Sequence, residues 1–319
     1  MPTNRSLLAF SLFAATLSLF FSEASPACAD NISSLRSTNS ASEHEIENFF
    51  HVNGSLRLYD FNKNYGAASQ TDQRSSALGG ILHITTSPFL GGFGLGLGLY
   101  GSRAIETFPA RSKSQETTLM GSGPVLDTVG EAYAQYARDG ALLRAGRQAI
   151  DTPWMSPRDS RMLPATFNGL WGQIEPIQGL TLMVTRVNAF KSRDSDGFYH
   201  DNLYYPATYG GDQMAGTVSI FPKKTTLPDA RGTAAVGAKY TTEAIHAQIW
   251  YYDFYDFAKT TYIDGGCNFA NRESSWIPYF DAQYMHQTGG DYLTKFKASL
   301  YGQGGQANST LWGLRGGVK

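Results

Sequence analysis

The chain is 319 residues long, carries a formal charge of −1, and is 42% hydrophobic, 13% aromatic and only 17% charged. That apolar content excludes a disordered protein, and the near-zero charge lacks the basic excess a nucleic-acid binder needs. Two cysteines in the whole chain, one of them in the leader, exclude a disulfide framework.

Residues 1–29 read as a secretory signal peptide: Arg5, the apolar run "LLAFSLFAATLSLFF", then the small-x-small site "ACAD" before Asp30. The run falls short of the about 20 residues of a membrane-spanning helix. A lipidated Cys28 is the rival reading, and "SPAC" lacks the leucine such a site carries. Residues 30–53 are expected to form a periplasmic lead-in and residues 54–319 one β domain, since no repeat or composition break divides them.

From there the apolar residues recur with period two. Thirteen candidate strands follow, at residues 55–61, 78–87, 92–102, 131–138, 141–148, 169–174, 180–189, 214–221, 233–240, 244–255, 277–286, 292–303 and 311–318. In "GFGLGLGLY" Phe93, Leu95, Leu97 and Leu99 share one face, and Gly94, Gly96, Gly98 and Tyr100 the other. Tyr292, Phe296, Ala298 and Leu300 likewise oppose Lys295, Lys297, Ser299 and Tyr301. Two architectures give this pattern: a soluble sandwich or barrel with its apolar face inward, and a transmembrane barrel with that face toward lipid. The low charge, and the glycine, serine, threonine, tyrosine and glutamine at most polar positions, favour the transmembrane barrel. Aromatics in "WYYDFYDF", "LYYPATY" and "WIPYF" fall where interfacial girdles would lie. "LWGLRGGVK" ends the sequence within a strand and without a final aromatic, so the chain reads as the N-terminal portion of a longer barrel.

One segment breaks the alternation. "DTPWMSPRDSRMLPA", residues 151–165, holds Pro153, Pro157 and Pro164, which a central strand does not tolerate. Its arginines, Arg158 and Arg161, carry permanently charged forks suited to carboxylates. It is either a surface turn or a stiff loop that narrows a wide aqueous barrel.

The stretch "LLRAGRQAIDTPWMSPRDSRMLPATFNGLWGQIEPIQGLTL" resembles the OprD-type family of substrate-specific outer-membrane porins. "GSLRLYDFNKN" is similar to that family's first strand and "NSTLWGLRGGVK" to a later one. The resemblance implies an all-β, transmembrane antiparallel β-barrel of eighteen strands, about twelve or thirteen of them in this chain. The central segment would be the third extracellular loop, folded into the lumen. It further implies a pore constriction at Arg161, Ser160 and Arg158. Of these only Arg161, in "DSRMLP", matches the family arginine, and Asp159 offers Arg158 a neutralising neighbour. Lys63 resembles a basic position of the family's ladder. Arg57, Arg144, Lys239, Lys295, Lys297 and Arg315 alternate with apolar or glycine neighbours and would extend it into a lumenal track. On the lipid face near the midplane a lysine would cost about 2–4 kcal/mol.

Catalysis finds no support. His44, His51, His83, His200, His246 and His286 are scattered, none in a zinc-binding spacing, and no G-x-S-x-G elbow occurs. Cys267, in the loop-like "DGGCNFANRE", reads as an incidental thiol. The expected protein is a passive channel in the outer membrane of a Gram-negative bacterium, with no cofactor or metal. Its expected partners are small carboxylate-bearing solutes, outer-membrane lipid and the barrel-insertion machinery. Two other readings stand beside it: a barrel with an adhesin or structural role, and a secreted soluble β-sandwich or barrel that binds a ligand. The acidic side of the constriction is expected beyond Lys319, and the sequence sets neither the solute nor an oligomeric state.

Overall fold

The computed structural model describes residues 49–66, 70–106, 114–121, 123–157, 159–198, 232–255, 257–269, 276–290 and 308–318. They form one antiparallel sheet of twelve strands in chain order, each paired with its sequence neighbours. The strands are β1 (Phe50–Lys63), β2 (Gln73–Thr86), β3 (Phe93–Ala104), β4 (Val125–Arg138), β5 (Ala141–Gln148) and β6 (Thr166–Ile177), followed by β7 (Leu180–Lys191), β8 (Thr233–Thr241), β9 (Ile245–Phe254), β10 (Ala258–Asn268), β11 (Pro278–Gly289) and β12 (Ser309–Val318).

Most connections at one end are tight. Asp139 and Gly140, both at positive φ (50° and 79°), close the two-residue turn from β4 to β5, the dipeptide and geometry that a twisted hairpin prefers. At the other end the chain makes long excursions, residues 105–124, 149–165 and 192–232. Outer-membrane barrels place short turns in the periplasm and long loops outside the cell, which orients the sheet.

The two faces differ as the period-two pattern demands. Leu56 on β1 is 90% exposed and Trp312 on β12 is 71% exposed, while on β3 Leu95, Leu97 and Leu99 are exposed and Gly94, Gly96 and Gly98 are buried. An apolar band of this extent suits lipid and not water. The opposite face buries polar side chains, among them Gln148, Thr185, Thr260, Asp264 and Asp281, together with the β5–β6 loop. It is therefore the inner face.

Three expectations need correcting or placing. Residues 258–268, left out of the candidate strands and read as loop-like from Asp264 onward, are strand β10, and Cys267 lies in it, half-buried. The strand hides because its outward face, Lys259, Thr261, Ile263, Gly265 and Cys267, has a single large apolar side chain. The candidate strands at 214–221 and 292–303, with Lys295 and Lys297, lie outside the described residues, as does the signal peptide. β1 begins at Phe50, within the stretch expected as lead-in.

Candidate functional site

The β5–β6 loop, residues 149–165, is packed at both ends against different walls. At its start Ile150 and Met155 are buried among Phe167 and Trp171 of β6, Val187 of β7, and Trp250, Tyr252 and Phe254 of β9. Trp154 sits between Tyr252 and Tyr262, with ring centroids 5.9 and 5.2 Å away. The alternate aromatics of "WYYDF" thus face inward as a stacked platform: Trp250 to Tyr252 is 5.7 Å, and Tyr252 to Phe254 is 5.5 Å. Of the aromatics within β9, Tyr251 alone lies on the outward face, where the girdle was expected.

Toward its end the loop reaches the β1–β3 wall. Met162 and Leu163 are fully buried with Ala77 and Ile81 of β2, Tyr100 of β3, and Leu119 and Met120 of the β3–β4 connection. Gly79 keeps both the neighbouring strand and the loop close: a methyl group there would stand 2.4 Å from the Gly101 carbonyl oxygen of β3 and 2.8 Å from Met162 Cε. We expect Gly79→Val to strain the β2–β3 pairing, shift the Met162 side chain and cost about 1–3 kcal/mol, checked by the unfolding midpoint in detergent and by an altered single-channel conductance.

Arg57 of β1 clamps this end. Its guanidinium donates to both carboxylate oxygens of Asp159 and to the carbonyls of Arg161 and Met162, at 3.3 and 3.4 Å. Asp159, which the sequence offered as a partner for Arg158, is instead engaged by Arg57; Arg158 itself lies outside the described residues. Ser160 Oγ accepts from Arg193 Nη1 at 3.0 Å. The Pro164 carbonyl accepts from Lys191 Nζ at 3.3 Å, and that fully buried lysine also binds the Ser192 carbonyl. Sequence reading missed Lys191 and Arg193, because "FKSRDSDG" at the end of a strand resembles an ordinary solvated loop.

Arg161 is left with its charge unneutralised. The guanidinium stacks over Phe61 at 4.5 Å and donates to the Ser160 carbonyl at 2.9 Å. Among the described residues it forms no ion pair, and its Nε is buried without a hydrogen-bond partner. Such a group, half-buried on the inner face, favours an anion.

The remaining basic positions differ in state. Lys63 lies 3.5 Å from Glu116 and over the Tyr65 ring. Arg315 donates to Asp281 at 2.6 and 2.9 Å, and His246 lies 3.6 Å from the same carboxylate. Arg144 stacks on Tyr133 at 4.2 Å and donates to Gln135 at 3.0 Å, with no acid beside it among the described residues. Lys239 shares the inner face of β8 with buried Thr233 and Ala235 and is exposed. Asp281, inward between Phe280 and Ala282, is an acidic wall position whose parity was readable in "YFDAQY".

Two loop carboxyls are perturbed in opposite senses. Burial would raise Glu116, but hydrogen bonds from Thr118 and the charge of Lys63 outweigh it and hold the carboxyl below its ordinary range. Asp151, in the loop, is raised above its usual 3.8 by loss of water around it, against the pull of Ser156 and Lys239. A raised acid favours the folded state most below its unfolded value, and that contribution is lost as pH rises through the folded one. On acidification Asp151 therefore loses its charge before ordinary aspartates do. We expect anion preference to rise as falling pH protonates Asp151 ahead of ordinary aspartates, seen as a shift in reversal potential that Asp151→Asn abolishes.

A sheet with lipid-exposed apolar residues on one face and a charged loop packed across the other defines an outer-membrane β-barrel. The chain matches the family model described as outer membrane porin, OprD family, over residues 47–302, and it belongs to that family. Porins of this family sit in the outer membrane of Gram-negative bacteria. Solved structures with the same fold include OpdK from Pseudomonas aeruginosa (TM-score 0.63, 17% identity, covering 85% of this chain and 63% of that one). OpdK with vanillate gives 0.62, 16%, 85% and 63%, and OccAB1 from Acinetobacter baumannii 0.64, 16%, 86% and 64%. The chain spans less than two thirds of the length of these structures. No curated protein matches it in sequence.

Proposed function

We propose that this chain forms the wall and the basic half of the constriction of a passive diffusion channel for small carboxylate-bearing solutes, such as amino acids, peptides and organic acids. One observation carries the reading: the inner loop is fixed at both ends, and Asp159, two residues from Arg161, is engaged by Arg57, so that among the described residues Arg161 forms no ion pair and its charge is left for a solute. Arg144 and Lys239 lie on the same inner face and extend the attraction along the wall. The family relationship supports a channel over an enzyme. Vanillate, the aromatic carboxylate in one of the similar structures, agrees with a carboxylate preference. The solute, outer-membrane lipid and the barrel-insertion machinery are the partners this reading requires.

Protein purified from outer membranes and reconstituted in planar bilayers and liposomes tests it. The expected results are a reversal potential favouring anions and faster uptake of a carboxylate than of its uncharged amide. Equal uptake of the two, with no anion preference, would remove the basis for a carboxylate-selective channel.

A further inference from the structure

The inner-face glycines of β3 form a floor for side chains of the next strand. Gly94, Gly96 and Gly98 are buried on that face and aligned with Gln135, Tyr133 and Glu131 of β4. A glycine inside a strand marks a close approach by a neighbour, and here the neighbours come from β4. A methyl group on Gly94 would stand 3.3 Å from Gln135 Cγ and Nε2, and one on Gly98 would stand 3.0 Å from Glu131 Cβ. At Gly96 it would stand 2.6 Å from both Cε atoms of Tyr133 and nearer still to Cζ. Equal distances of that kind require the ring to lie flat over the Gly96 Cα. A ring laid over a strand glycine supplies the packing that the missing side chain leaves out.

Two of these three side chains hold Arg144 of β5. Tyr133 is aligned with Gly146, and Gln135 with Arg144, so Arg144 meets Tyr133 on the diagonal, within reach of a long side chain. Its guanidinium lies 4.2 Å from the Tyr133 ring centroid, and its Nη2 donates to Gln135 Oε1 at 3.0 Å. β3 occupies one face of the ring, so the guanidinium takes the lumenal one. The third side chain is engaged elsewhere: Glu131 Oε1 accepts from the Tyr100 hydroxyl at 2.6 Å and lies 3.6 Å from His83 Nδ1. Arg144 forms no ion pair among the described residues. A guanidinium stacked on a ring is held in one plane and still presents N–H donors to an oxyanion. Arg144 precedes Gln148, where β5 gives way to the loop, and so stands on the periplasmic side of that loop.

We propose that Gly96 and Tyr133 are positioning residues for Arg144: the glycine seats the ring, the ring seats the guanidinium, and together they fix a carboxylate contact on the wall periplasmic to the loop. This rests on the reading of Arg144 as part of the attracting wall and adds what fixes its place. The alternation in "GFGLGLGLY" then serves two ends, with leucine facing lipid and glycine supporting an arginine two strands away.

Neutral substitutions test it, because they move Arg144 without changing the charge of the wall. Protein purified from outer membranes is reconstituted, and chloride-over-potassium permeability is read from reversal potentials. For acetate the half-saturating concentration and the maximal flux are measured separately. Arg144→Gln is expected to lower the anion preference. Tyr133→Leu and Gly96→Ala should also lower it and raise the half-saturating concentration about two- to fivefold, the span of one exposed cation–π contact, with maximal flux and heat-dependent gel migration retained. Tyr133→Phe should restore what Tyr133→Leu loses, because the stack uses the ring. Gly54→Ala, whose methyl would meet nothing nearer than 3.5 Å, should match wild type. In an Arg144→Gln background Tyr133→Leu should add nothing, and that non-additivity separates positioning from a general loosening of the wall. If Gly96→Ala fails to fold, Tyr133→Leu, which removes atoms and introduces no clash, decides. Absence of anion preference in wild type, or unchanged selectivity in Arg144→Gln, would overturn the reading of the wall and the proposal together. Selectivity lost in Arg144→Gln but kept in Tyr133→Leu, or an undiminished effect of Tyr133→Leu in the Arg144→Gln background, would overturn the proposal and leave the channel reading standing.

Discussion

Arg161→Glu should convert an anion-favouring channel into a cation-favouring one while leaving the barrel folded. The substitution changes the local charge by two units where no other described group neutralises it, because Asp159 is bound to Arg57. At about 4 Å a unit charge acts on a solute carboxylate by roughly 4 kcal/mol at an effective dielectric constant near 20, and hydration offsets much of that. The new carboxylate would also face the negative π surface of Phe61, over which the guanidinium now lies. It would therefore turn away from the ring toward the passage. The barrel should tolerate the exchange, since among the described residues the Arg161 side chain engages its neighbour's carbonyl and the ring alone. The measurement is reversal potential across a salt gradient with carboxylate uptake, repeated in molar salt, where screening within about 3 Å should shrink any longer-range part. Unchanged selectivity and unchanged flux would place Arg161 outside the narrow passage.

Reversing the clamp should have the second large effect. With Arg57→Glu two carboxylates face each other, and the Arg161 and Met162 carbonyls lose their donor. The pair is partly exposed, with side-chain exposures of 22% and 43%, so its net stability is about 1 kcal/mol or less and the unfolding midpoint should scarcely move. The loop, however, should shift from the β1 wall, which predicts larger, noisier conductance and weaker selectivity. A charge swap, Arg57→Asp with Asp159→Arg, should recover part of the native behaviour, and the double-mutant cycle isolates the pair from its surroundings. If Arg57→Glu leaves conductance untouched, the buried Met155, Met162 and Leu163 and the Lys191 and Arg193 hydrogen bonds hold the loop without the clamp.

Much of this was legible in the residues themselves. The two-faced strands announced themselves wherever leucine alternated with glycine, as in β3, because lipid on one side and water on the other impose period two. β10 escaped because Thr261, Gly265 and Cys267 give that period no amplitude. The loop was visible through its prolines and Arg161, but its fastening was not. Arg57 and Asp159 are 102 residues apart, and local sequence holds no record of a contact made only when the sheet curls. Likewise Lys191 looks solvated in sequence and is fully buried in the structure, because the carbonyls that receive it belong to a distant proline and to Ser192.

The fastening of the β5–β6 loop to two separate walls also sets an order of assembly. Neighbouring strands can pair as the chain arrives, since each contact is local. The loop can dock only after β1–β3 and β6–β10 are both in place, so it joins parts far apart in the chain and its closure belongs among the last steps. On the proposed channel reading, the nascent pore would until then be wider than the finished one. A cell inserting this protein would face a brief leak, its duration set by how quickly Met155 and Met162 find their opposite walls.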